Sequence, residues 1–300
     1  MKENQIKKGF NIYLYYWTIF FFFLFIILNY VSNDVKVEAL DIGLMISVVS
    51  FLFGFLITIT FSMLLTKVSK LKDFLAEETG RLVSLYSLSK NLGTRFHNKI
   101  VERIDQYTIL TLGNYTNYEF SRDSFYGLYQ DSDEMEIKTE FQRSSSSSFF
   151  YILGELEPVR EKLEYLTNRR VEWPLKFTNY VLGFVLIALL FLNRGDTFTN
   201  SLFVILSTII IFIFLIIEDF DSLKIGDYTY NISNSEQIFD LLGKDRYYPQ
   251  EILSKVKLQK GRKYRIGFYD PKSREEKIVS LVYNPNFNSK LGSISKKYTG

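Results

Sequence analysis

Apolar positions along this chain follow two regimes. Residues 12–31, 40–65, 173–192 and 198–217 are nearly unbroken apolar runs whose cores carry no charge, whereas elsewhere apolar residues recur only at intervals. A helix needs about 20 residues to cross ~30 Å of hydrocarbon at ~1.5 Å per residue, and each run meets that length. Lipid offers backbone groups no hydrogen-bond partner, so each run must close its own amide ladder as a helix. The pattern predicts an all-α membrane protein with four transmembrane helices, a helical cytoplasmic insert and a small C-terminal β-hairpin tail. It divides the chain into 1–65 with the first two spans, an insert over 66–172, the second pair of spans over 173–217, and a C-terminal region over 218–300.

The insert reads differently from the spans. Val68, Leu71, Leu75, Leu82, Leu85 and Leu92, then Phe96, Ile100, Ile104 and Tyr107, repeat at helical spacing with charges on the other faces. Two amphipathic helices broken near Gly93 are expected. Residues 121–148 turn polar, with Asp131, Asp133 and the run Ser144 to Ser148, and are expected to form a loop. Helicity should resume near Phe149, with Pro158 a local kink or a late helix start. Beyond Pro249, Tyr264, Ile266 and Phe268 alternate with Lys263, Arg265 and Gly267, and Ile278 to Tyr283 forms a second β-prone run. These imply a hairpin over about 263–283, which needs a further strand, the insert or a partner chain for stability.

Lysine and arginine set the expected orientation. Lys2, Lys7 and Lys8 precede the first span, Lys67, Lys70 and Lys72 follow the second, and Arg169, Arg170 and Lys176 flank the third, while the remaining connectors are poor in positive charge. Basic flanks stay in the cytoplasm, so the expectation is a multi-pass cell-membrane protein with both termini and the insert inside. The first run lacks a small-residue cleavage site and is read as a retained span rather than a secretory signal. The balance of 36 Lys+Arg against 33 Asp+Glu forms no basic stripe, which argues against a nucleic-acid partner. The chain has no cysteine, so thiolate chemistry and disulfides are excluded.

One span carries a pattern beyond greasiness. Gly43, Ser47, Ser50, Gly54, Thr58 and Ser62 keep small or hydroxylated residues on one face of the second span, beside Phe51 and Phe55 one turn apart. Small residues suit close helix packing, and hydroxyls bond their own carbonyls. The same face suits a pore wall, with the two phenylalanines as a hydrophobic constriction if several copies surround an axis. Ser47, Ser50, Phe51, Gly54, Phe55 and Thr58 are therefore the candidate pore-lining residues. No span holds a central ionisable residue of the sort that marks proton-coupled transport.

Enzyme chemistry finds little foothold. His97 is the sole histidine, it lies among Arg95, Asn98 and Lys99 where an exposed polar role is expected, and neither a GxSxG elbow, a HExxH pair nor a P-loop occurs. No cofactor is expected. Glu218, Asp219 and Asp221, near Asp227, supply hard oxygen ligands suited to calcium, yet their spacing is not that of an EF-hand. A basic partner such as Lys224 is the simpler expectation for carboxylates leaving a helix C-terminus.

The order of these features resembles the bestrophin-like family of bacterial membrane proteins. Glu78 with Leu82, Leu85 and Tyr86, then Ile100, Ile104, Tyr107 and Glu119-Phe120, are similar to its insert, where tryptophan is commoner than Phe120. Arg160 to Leu166, Arg169-Arg170 and Trp173-Pro174 resemble the entry to its third span, and Glu218-Asp219-Phe220-Asp221 with Tyr247-Tyr248-Pro249 resemble the exit from its fourth. The resemblance implies a homo-oligomeric anion channel, since bestrophins are pentamers whose second span lines the pore. It also implies a calcium role for the acidic cluster, as in calcium-activated members. The alternatives are a membrane-anchored sensor or scaffold that binds a protein partner through the insert and tail, and an effector that permeabilises its own membrane.

Overall fold

A computed structural model of the protein describes residues 12–32, 42–113, 121–223, 227–270 and 275–284. These divide into two compact units, one built from the described residues within 9–69 and 169–225 and the other from those within 70–168 and 226–300.

The first unit contains the four apolar helices. They are α1 (Ile12–Val31), the start of α2 (Ile42–Ser89), α6 (Trp173–Leu192) and α7 (Thr197–Asp221), each long and apolar enough to cross a membrane. The bounds of α1, α6 and α7 follow their hydrophobic runs closely, while α2 continues well past the end of its run. Asp196 caps α7: its carboxylate accepts from the Thr199 amide at 2.7 Å while the Thr199 hydroxyl accepts from the Asp196 amide at 3.1 Å. This reciprocal pair satisfies two of the amides a helix start leaves without partners. The interior is aromatic and aliphatic, with Phe25, Phe53, Ile57, Leu64, Leu186, Phe203, Ile210 and Phe214 all buried.

Glycine sets the closest approach in this unit. A Cβ at Gly183 on α6 would lie 2.2 Å from the Phe214 ring of α7. Phe214 in turn meets Phe53 edge-on at 6.0 Å and Tyr180 at 4.8 Å, so one ring joins three helices.

The second unit buries its own core in the manner of a water-soluble domain. The rest of α2 leads to a corner at Gly93, whose φ of 103° is open to glycine and strained for other residues. Here α3 (Thr94–Gly113) turns back on α2. Leu82, Leu85, Leu92, Phe96, Ile100, Ile104 and Tyr107 from this pair meet Phe125, Leu128, Phe149, Leu153 and Leu156. The break at Gly93 is as the periodicity predicts, but the first amphipathic helix is continuous with the second span rather than separate from it.

The polar stretch over 121–148 is not a loop. It forms α4 (Arg122–Gln130), a 3₁₀ turn at Asp131–Glu134, a short extended link and the first turns of α5 (Glu140–Asn168). Two physical signals outweigh its polar composition. Phe125 and Leu128 anchor α4 in the core, and Thr139 with Gln142 forms a capping box that starts α5. In it the Gln142 amide donates to the Thr139 hydroxyl and the Gln142 side chain accepts from the Thr139 amide, both at 3.2 Å. Ser145 and Ser146 are buried as small residues on the packed face of α5, and Pro158 lies well inside this helix instead of starting it.

The tail is a three-stranded sheet preceded by α8 (Asp227–Leu242). Strands β2 (Lys263–Asp270) and β3 (Glu275–Val282) form the antiparallel hairpin, and β1 (Arg246–Pro249) adds to β2 in parallel, with Tyr248 opposite Ile266. The third strand the hairpin needs is thus the Tyr247-Tyr248-Pro249 segment. Arg265 fastens the sheet to α3 through a two-pronged pair with Asp105, both bonds 2.6 Å, over the face of Phe239.

The close approach at Gly183 is directly testable. A Gly183→Val variant is expected to lose about 1–3 kcal/mol, the usual effect of overpacking, read as a lower melting temperature in detergent.

Candidate functional site

The candidate residues share one face of α2, and this face is left uncovered within the chain. Phe51 is 74% exposed and Phe55 58%, while Phe53, Ile57, Thr60 and Leu64 on the opposite face are buried. With ~100° per residue, Phe51 and Thr60 are about two and a half turns apart and point in opposite directions. The structure therefore gathers Ser47, Phe51, Gly54, Phe55 and Thr58 on the exposed side, with Ser50 at its partly covered border. Gly43 and Gly54 have open space where a Cβ would stand, so neither is required by a neighbouring helix of the same chain. The hydroxyls of Ser47 and Thr58 donate to the carbonyls of Gly43 and Gly54 at 2.9 and 2.8 Å.

Three contacts at different heights hold the buried face of α2. Phe53 meets the Phe214 ring, Thr60 accepts a 2.7 Å hydrogen bond from the Asn179 side-chain amide, and Lys67 donates to the carbonyls of Arg169 at 2.5 Å and Asp221 at 3.2 Å. None of Thr60, Asn179 and Lys67 is among the sequence-predicted site residues. Asn179 was visible as an amide inside an apolar run, and Thr60 and Lys67 fall on the stripe of Phe53, Ile57 and Leu64 at helical spacing.

Glu218 and Asp221 in the last turn of α7 take a basic partner rather than forming an open oxygen cage. Lys176 lies 2.7 Å from Glu218 and 3.1 Å from Asp221, and the other Asp221 oxygen accepts from the Val171 amide at 2.7 Å. Arg170 donates to the Asp221 carbonyl at 2.6 Å, so with Lys67 two cations meet the negative end of the α7 dipole. Tyr180 donates to Glu218 as well. An ammonium group thus occupies the centre that a divalent ion would need, and Glu218 and Asp221 do not fit a calcium ion. Asp219 is buried with a partner of its own. Lys224, the partner expected from sequence, lies outside the described residues, and the role falls to Lys176 on α6. The opposite end of this helical unit has a cation of a different kind. Arg194, 8% exposed, donates to the carbonyls of Phe191 at 2.7 Å, Asn29 at 3.3 Å and Ser32 at 3.1 Å, capping the ends of α1 and α6.

In the other unit, motif residues distant in sequence converge. The Tyr107 hydroxyl donates to Glu78, and the Arg160 guanidinium lies 5.5 Å from the Tyr107 ring and 5.1 Å from Phe125 while donating to the Ser121 hydroxyl at 2.8 Å and carbonyl at 3.1 Å. Burial pushes the Glu78 carboxyl from its ordinary 4.5 up to about 7, against the lowering effects of Tyr107 and Arg160. Burial likewise pushes Tyr107 well up. Glu119 and Phe120, the last residues of that motif, lie outside the described residues.

His97 is not the exposed polar residue its neighbours suggest. Its Nδ1 is 2.7 Å from the Ser89 hydroxyl and its ring packs on Tyr86, and burial lowers its pKa. Ser89 is fully buried, so this contact fastens the α2–α3 corner and offers no nucleophile to a substrate.

The fold has known relatives. No family model matches the sequence, and no curated protein matches it. A mutant of a bacterial bestrophin homolog from Klebsiella pneumoniae superposes with a TM-score of 0.61 at 10% identity, covering 76% of this chain and 99% of that one. A second mutant of the Klebsiella homolog gives 0.56 at 11% identity over 78% and 99%. A structure described only as a membrane protein gives 0.55 at 12% identity over 77% and 99%. At such identities the likeness is one of fold, and the chain has the bestrophin-like membrane fold.

The Glu78 carboxyl gives a pH test of the core of the second unit. Because the folded chain keeps a proton that the unfolded chain has released, this group's contribution to stability falls as pH rises from 4.5 through about 7. Glu78→Gln keeps an acceptor for Tyr107 without the charge. Its melting temperature is expected to exceed the parent's increasingly across that window, and parallel pH profiles would refute the assignment.

Proposed function

We propose that this protein is a homo-oligomeric ion channel whose pore is lined by the exposed face of α2, with Phe51 and Phe55 as its constriction. One observation carries the reading. A face rich in glycine and hydroxyl groups is left uncovered on a helix whose other face buries Phe53, Ile57, Thr60 and Leu64, within a bestrophin-like fold. Lipid is best matched by large apolar side chains, whereas small residues beside two phenylalanines suit neighbouring copies around a wetted axis and a gate that closes by dewetting. Anions are the permeant class that the family resemblance implies, and the exposed stripe from Gly43 to Ser62 carries no acidic side chain that would oppose them. The insert and both termini lie on the cytoplasmic side in this reading, as the basic flanks of the spans indicate.

Purified protein in liposomes tests it. Stepwise currents are expected, with a reversal potential that follows chloride in an asymmetric salt gradient. Replacing Phe51 and Phe55 together by alanine should raise conductance or hold the pore open. Monomeric particles without current would favour the scaffold reading instead.

A further inference from the structure

We infer that the hydrogen bond between Asn179 and Thr60 is a rotational stop for α2, and that it sets how far Phe51 and Phe55 project from the opposite face. The inference deepens the channel reading and rests on it for its functional consequence, though not for the geometry.

Hydrocarbon gives helices little hydrophobic reason to associate, so polar ties weigh heavily in fixing one orientation over another. The described ties on the buried face of α2 are few. Phe53 against Phe214 is an edge-on ring contact that tolerates sliding, and Lys67 reaches two backbone carbonyls on a long flexible side chain. Thr60 differs, because its β-branched side chain is stiff and its hydroxyl is committed in both directions. It donates to the Leu56 carbonyl at 2.9 Å and accepts from Asn179 at 2.7 Å. Thr60 is 0% exposed and Asn179 1%, so solvent does not compete for the bond in this arrangement.

A second feature makes the contact suited to switching. The Asn179 side-chain oxygen is buried and has no hydrogen-bond partner among the described residues. Exchanging the oxygen and nitrogen of the amide does not remove the problem, since one hydroxyl can serve only one end. An unsatisfied buried polar atom disfavours the state that contains it. This arrangement therefore holds α2 in place while leaving a group that any rearrangement bringing it a donor would stabilise. Since Phe51 lies directly opposite Thr60, turning α2 at this point moves the phenylalanines at the candidate constriction. Asn179 and Thr60 are positioning residues in this scheme and do not touch the permeating ion.

The natural absence of cysteine allows a direct test. Spin labels at Ile59→Cys and Phe184→Cys in the full-length protein, diluted with unlabelled chains, report the distance between α2 and α6 by pulsed electron paramagnetic resonance. Thr60→Val and Asn179→Leu should shift or broaden that distance, whereas Thr60→Ser, which keeps the hydroxyl, should not. In bilayers the first two should change the ratio of open to closed time by roughly three- to tenfold, the usual scale for one interhelical hydrogen bond, with unitary conductance unchanged. Distances that superimpose on the parent in both variants would overturn the inference. A distance shift with open time unchanged would overturn its link to the constriction. Parent protein that carries no current would defeat the channel reading, while the spin-label distances would still decide whether the bond orients α2.

Discussion

Association of helices in lipid rests on how closely backbones approach and on which polar groups find each other, because apolar surface gains little by leaving one hydrocarbon for another. The four-helix unit is built on that constraint. Gly183 admits the Phe214 ring, Asn179 finds Thr60, and Lys67, Arg170 and Lys176 converge on the carbonyls and carboxylates at the end of α7. Each contact lies on the packed side of its helix. The glycine and hydroxyl stripe of α2 lies on the other side, and the functional reading follows from this asymmetry.

The second unit obeys the opposite rule. Water drives Leu82, Phe96, Ile100, Phe149 and Leu153 into one core, and several polar groups that enter with them find partners. Glu78 enters with Tyr107, Arg160 with Ser121 and two aromatic faces, and Asp105 with Arg265. Desolvation offsets much of the attraction in buried polar contacts of this kind, so their net contribution to stability is small. These contacts tie α2, α3, α5 and the sheet to one another at fixed points.

At the end of α7, likeness of fold and likeness of chemistry separate. An acidic run in this position suggests calcium by resemblance, but Lys176 holds Glu218 and Asp221 together from within. Neutralisation by an ammonium group on α6 needs no ion from solution. The proposed channel accordingly has its α7 terminus held by residues of its own.

The four spans were legible because lipid imposes a long uninterrupted apolar run on any helix that crosses it, and the hairpin because strand alternation is equally local. The polar composition of residues 121–148 misled, since it concealed the capping box at Thr139 and Gln142 and the two apolar anchors of α4. His97 misled for a similar reason, as its sequence neighbours are polar while its spatial neighbours are Ser89 and Tyr86. By itself the sequence determined which segments enter the membrane and which face of α2 is small and hydroxylated, because both are periodicities within one helix. Only the tertiary structure decided that this face is uncovered, that Thr60 opposes Asn179, that Lys176 answers Glu218 and Asp221, and that Glu78, Tyr107 and Arg160 meet. Those pairings join residues far apart along the chain, and helical spacing carries no information about which face of one helix will lie against another.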